Sequence, residues 1–233
     1  MQKRKGHFFS LTAGLVFLFV LGMGTKGFGY RMVPMNLEEM VAKADRIMIG
    51  VCESRSEGEM EVGKKGQPIH YTEYTFQVTD AIKGNLGQTL TIRQVRFGGS
   101  PNPKNSNGNQ VQAESALTFN PLPLPEYQEG KEVLLFLGAD SIYGFTSPIA
   151  MEQAVFDVKM DQGKKGFSNR LSNQLIFEGI SIESLSASKK LSAAEMAIFP
   201  KGEKGAKVEG QKTPVPFPYE PFVSLIRKLA NGN

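Results

Sequence analysis

The chain has no tryptophan, one cysteine (Cys52) and two histidines, His7 and His70. A single cysteine excludes an internal disulfide framework. One cysteine and so few histidines also exclude a Cys/His zinc site, which needs about four such ligands. No Gly-x-Ser-x-Gly elbow and no phosphate-cradling glycine loop occurs. Only one long uncharged apolar run exists, Phe8 to Met23, at the N-terminus. No basic stripe with interleaved aromatics is present, which leaves no footprint for nucleic acid.

What is present begins with that apolar run. Lys3-Arg4-Lys5 precedes it, and Gly22-Met23-Gly24 puts small residues before Thr25. The pattern predicts a secretory signal over residues 1–24, cleaved before Thr25, with a soluble chain and no membrane span thereafter. The run is short of the ~20 residues of a comfortable spanning helix. An N-terminal anchor that stays in place is the alternative. The net charge of +4 is largely the leader's: taking its three basic residues from the 27 leaves 24 against 23 acidic ones.

Asn36-Leu-Glu-Glu39 has the form of a capping box, and Leu37, Met40, Val41 and Ala44 follow helical spacing to about Asp45. Ile47, Ile49 and Val51 alternate as in a strand. Residues 54–68, charged and glycine-rich, read as a solvated hairpin loop. Tyr74, Phe76 and Val78 alternate with polar residues, and Leu90 and Ile92 repeat the pattern. Residues 98–128 form a long proline- and asparagine-rich connection, with a short strand expected near 110–116. Val133–Leu137 is wholly apolar, as in a strand buried on both faces. Strands are expected at Ile142–Phe145, at Ala154–Lys159, and at Phe167 or Leu175–Phe177 after a turn at 163–166. Residues 183–197 are helix-permissive, 200–218 read as a linker, and Tyr219–Ala230 as an amphipathic helix. The expected organisation is a mainly β domain over 25–180, an antiparallel OB-like barrel or small sandwich with a short N-terminal helix, followed by a C-terminal extension over 181–233.

Ala44-Asp45-Arg46-Ile47-x-x-Gly50-Val51, Tyr71-Thr72-x-Tyr74-Thr75-Phe76-x-Val78, Ile82-Lys83-Gly84, Gly98-Gly99, Gly130-x-Glu132–Leu137 and Thr146-Ser147-Pro148 follow in order. This series resembles a group of uncharacterised exported bacterial proteins, over residues 36–160. It is more distantly similar to the netrin-like module of tissue metalloprotease inhibitors, which implies an OB-type barrel. Those inhibitors act through an N-terminal cysteine, and this chain has none near Thr25, so their chemistry does not transfer.

Candidate chemistry is sparse. Cys52 and His70 would form a thiolate–imidazole pair if the first two long strands set them opposite each other. Glu152, Asp157 and Asp161 are acids near a turn whose spacing matches no calcium loop. Ser100 and Ser147 each precede a proline, as turn residues do. Phe119, Leu122, Leu124 and Tyr127 lie among prolines and are candidates for docking a partner. The reading that follows is an exported, non-enzymatic accessory protein with a protein partner, acting in the periplasm or outside the cell, with no cofactor and no metal. A hydrolase using Cys52/His70 or carboxylates, and a structural envelope component, are the alternatives.

Overall fold

The computed structural model describes residues 34–62, 67–96, 124–171, 173, 175–199 and 216–232. The first helix, α1 (Leu37–Lys43), starts at the capping box: Glu39 N–H donates to Asn36 Oδ1 at 2.9 Å and Asn36 N–H to Glu39 Oε2 at 3.2 Å. Its C-terminal carbonyls of Val41 and Ala42 accept from Lys83 Nζ at 2.7 and 3.2 Å, where a cation also meets the negative end of the helix.

Seven strands follow: β1 (Arg46–Val62), β2 (Gln67–Lys83), β3 (Thr89–Val95), β4 (Glu132–Leu137), β5 (Val155–Asp161), β6 (Lys164–Asn169) and β7 (Phe217–Pro218). They form one antiparallel sheet in the order β3-β2-β1-β4-β5-β6-β7. Helices α2 (Ile182–Lys189), α3 (Ala193–Met196) and α4 (Tyr219–Ala230) complete the fold. None of the helices among the described residues is long and apolar enough to cross a membrane.

Strand alternation sorts the side chains into two cores. Ile47, Ile49, Leu134, Phe136, Phe156 and Phe167 face the helices. Met48, Cys52, Tyr74, Phe76, Leu135 and Val155 face the opposite side, where Tyr127 packs over them. β4 feeds both cores, and all five residues of Val133–Leu137 are buried. The C-terminal helix belongs to the first core. Phe222 lies 5.4 Å from Phe156, 5.6 Å from Phe167 and 4.7 Å from Phe217, ring centre to ring centre. The Arg227–Asp80 ion pair ties the same helix to β2.

The sheet is mainly antiparallel β as expected, but it does not close into the OB-like barrel, and it is one sheet rather than two. β3 and β7 are its ends. β7 has two residues and stops where α4 begins, so it has no length to offer another strand. β3 is met instead by the β4–β5 connection, through Thr146 N–H on Arg93 O at 2.9 Å. Register shifts at Ile47/Met48, Ile49/Gly50 and Cys52/Ser54 bend the β1–β2 pair. Gly50 permits the close approach there: a Cβ on it would lie 2.8 Å from Gln77 O.

Three local expectations are corrected. Residues 54–62 and 67–68 are not a loop but the outer half of a long hairpin, paired from Ser54↔Thr75 to Val62↔Gln67. Ile142–Phe145 is a turn, because Ser141 Oγ accepts the N–H groups of Tyr143 and Phe145 at 3.4 and 3.0 Å and Gly144 takes φ +75°. The turn expected at 163–166 is Gln162-Gly163, because Lys164–Gly166 already pair with β5; the strand expected at Phe167 or Leu175–Phe177 is β6 at Phe167, and Leu175–Phe177 is a 3-10 turn. The expected strand at 110–116 lies outside the described residues, as does most of the expected linker.

Glu195 pins α4 to α3. Only 2 % exposed, it accepts from Lys228 Nζ at 2.7 Å, Ser224 Oγ at 2.7 Å and Ser192 N–H at 2.6 Å. Burial works to raise its pKa, but these donors prevail and hold it at about 2, below the ordinary 4.5. The unfolded chain therefore binds the extra proton between those values, and stability rises with pH across the window. The contribution is complete above pH 4.5 and is lost as pH falls through about 2. Urea midpoints measured from pH 5 to pH 2 should fall less steeply in Glu195→Gln than in the wild type. Phe222→Ala should cost about 3–5 kcal/mol by chemical denaturation, the range for emptying a buried aromatic site.

Candidate functional site

The hairpin register decides the Cys52/His70 pair. Cys52 sits opposite Phe76 and His70 opposite Glu59. The two residues are thus separated by six positions along β2, about 20 Å at ~3.3 Å per residue. His70 Nδ1 lies 3.5 Å from a Glu59 carboxylate oxygen instead. Cys52 is fully buried beneath Tyr74 and Phe76, with its Sγ 3.7 Å from Ser54 O. Burial, with Glu129 nearby, pushes its thiol pKa up, the opposite of what a nucleophile needs.

The acids near the β5 turn hold an arginine rather than an ion. Arg170 Nε donates to both Asp157 oxygens at 3.1 and 3.3 Å, and Nη1 reaches Glu152 Oε2 at 3.3 Å and Glu126 O at 2.8 Å. Its guanidinium also lies 5.6 Å from the centre of the Tyr127 ring. Asp161 is exposed at the end of β5. Among the described residues no group of three or more His, Cys, Asp or Glu is placed to hold a metal. Ser147 lies in the β4–β5 connection, with its carbonyl accepting from Gly138 N–H at 3.2 Å.

Of the four docking candidates, Phe119 and Leu122 lie outside the described residues, as does Ser100. Leu124 is half-buried. Tyr127 is 2 % exposed and packs edge-on against Tyr74 and Phe76, with ring centres 4.9 and 5.2 Å away. Its hydroxyl accepts from Gln94 Nε2 at 3.5 Å.

The most exposed of the large apolar side chains described is on the β4–β5 connection. Ile142 is 91 % exposed, more than any other large apolar residue described, and Tyr143 beside it is 44 % exposed. The turn under them is fixed from within. Ser141 N–H donates to Phe145 O at 2.8 Å, and Gly144 N–H to Ser141 O at 2.8 Å. It is also fixed from outside. Asp140 accepts from Arg46 at the start of β1 and from the Thr146 hydroxyl, and Arg46 Nη2 reaches Gly138 O at 3.3 Å. The Thr146 hydroxyl bond, opposed by burial and joined by Arg46, holds the Asp140 carboxyl below its ordinary pKa. Phe145 packs edge-on against Tyr71, with ring centres 6.0 Å apart.

No protein-family model matches the chain, and no curated protein matches it significantly.

Residues far apart in the chain converge here. Arg46 starts β1 and Thr146 lies in the β4–β5 connection, and both close on Asp140. Nothing in the local sequence marked Ile142 as a tip, since apolar alternation at 142–145 reads as a strand. The available signal was Ser141 three residues before Gly144, a pair that suits a turn.

Cys52 should be inert in the folded protein. Labelling with a thiol reagent at pH 8 should be slow under native conditions and become fast only in denaturant; rapid native labelling would contradict the buried placement.

Proposed function

We propose that the protein is an exported accessory protein that works by binding another protein, with the Ile142–Tyr143 tip as a contact point. The observation that carries this reading is the exposure of Ile142 on a turn whose flanks are locked by the Arg46–Asp140–Thr146 network. An apolar side chain held out on a preordered backbone can enter a partner's pocket without the entropy cost of ordering a loop. Such anchors dominate binding energy at protein interfaces.

Export is proposed from the Lys3-Arg4-Lys5 and Phe8–Met23 leader, which would place the mature chain in the periplasm or outside the cell. The side chains that an enzyme would recruit already have structural partners: Cys52 fills a core, and Glu152 and Asp157 brace Arg170.

The test compares the wild-type mature chain with Ile142→Asp. Both are immobilised and exposed to envelope and culture-medium fractions of the native organism. A partner retained in stoichiometric amount by the wild type should be lost by Ile142→Asp, while thermal stability changes by less than about 0.5 kcal/mol, as for other exposed positions. Equal capture by both proteins would remove the tip from the interface.

A further inference from the structure

β1 has two different neighbourhoods along its length. From Arg46 to Val51 it lies between β2 and β4, and the β4 pairing ends at Val51↔Glu132. From Ser54 to Val62 it pairs with β2 alone among the described residues. Beyond Arg55, the side of β1 turned away from β2 is, among the described residues, an open strand edge, which is a template for one more strand.

The direction of its backbone groups follows from one hydrogen bond. Arg55 N–H leaves β1 on the side away from β2, where Glu129 Oε1 accepts it at 3.0 Å. Backbone groups alternate with a period of two. The N–H and C=O groups of Glu57, Glu59 and Glu61 therefore leave on that same open side. Their side chains also share one face, by the same alternation. Glu57 pairs with Arg96 at 2.5 Å and Glu59 with His70 at 3.5 Å, whereas no ion pair reaches Glu61 among the described residues. Both Glu59 and Glu61 are exposed.

We propose that the Ser56–Val62 edge of β1 receives an extended segment of a partner protein that carries Lys or Arg at alternate positions. In that pairing each basic residue sits directly opposite Glu57, Glu59 or Glu61. It exchanges backbone hydrogen bonds with that residue and places its cation on the face of the carboxylate. Backbone pairing supplies the affinity and the alternating charges choose the sequence. The same charges exclude a second copy of this chain. Antiparallel self-pairing centred on Glu59 would set Glu57 against Glu61 and Glu59 against Glu59, and like charges directly opposite destabilise a sheet. That register of self-pairing is disfavoured, whereas a basic strand in the same place is favoured. This surface is separate from the Ile142 tip and stands or falls apart from it.

The experiment uses the mature protein and three blocked peptides: lysine alternating with threonine and valine, the same peptide with glutamate for lysine, and the lysine peptide N-methylated at each lysine. The lysine peptide should bind, more weakly as salt rises, and should protect the amides of Glu57, Glu59 and Glu61 from hydrogen exchange. The glutamate peptide should not bind. N-methylation, which deletes the donors facing β1, should abolish binding. Glu59→Lys/Glu61→Lys alters only exposed side chains, and it should weaken the lysine peptide by at least about tenfold and admit the glutamate peptide. Failure of the lysine peptide to bind would overturn the proposal. So would equal binding of its N-methylated form, or an unchanged preference in the charge-reversed protein.

Discussion

β4 has no polar face. Its residues Val133–Leu137 are all buried, so apolar cover must be supplied on both sides of the sheet at its centre. On one side the cover is helical, with α1 and α4 closing over Leu134 and Phe136. On the other, no helix contributes among the described residues. There the bulged β1–β2 pair bends, and Tyr74, Phe76 and Tyr127 fill the space over Leu135. Both solutions follow from one requirement, and they explain why the last helix of the chain shares a core with the first strands.

That arrangement also determines which parts of β1 remain available. Its first six residues are enclosed by β2 and β4, and Arg46 at its start anchors the connection that carries Ile142. Its outer part runs on beyond β4 with β2 as its only partner strand among the described residues, which leaves an ordered backbone edge. The polar groups inside the fold, meanwhile, serve the fold. Glu195 fastens α4, and Arg170 gathers Asp157, Glu152 and the Glu126 carbonyl around the Tyr127 ring. The surfaces proposed for binding are an apolar tip and a strand edge, both held by the same strand.

Elements whose local pattern matches their burial were legible in the sequence. The capping box at Asn36/Glu39, the two-sided run at Val133–Leu137 and the amphipathic Tyr219–Ala230 appear as expected, because each depends on side chains a few residues apart. The outer hairpin was not legible. Its Glu-x-Glu-x-Glu pattern has the composition of a solvated loop, and its order comes from cross-strand partners such as Met60↔Ile69 that local propensity does not weigh. Ile142–Phe145 failed in the opposite direction, since its alternation is that of a strand while Ser141 and Gly144 close a turn. Barrel closure was out of reach for a different reason. It depends on whether β3 meets a strand, and the residue that meets it, Thr146, lies far along the chain. The Ile142 tip was missed with the turn that carries it.

By this packing, the doubly buried β4 and the terminal helix should open as one cooperative unit. Native-state hydrogen exchange across a denaturant series tests it directly. The amides of Leu134–Phe136 and of Phe222–Ile226 should exchange only through global unfolding, with the same free energy and the same denaturant dependence. Exchange of the helix amides through a smaller, separate opening, while β4 stays protected, would contradict it.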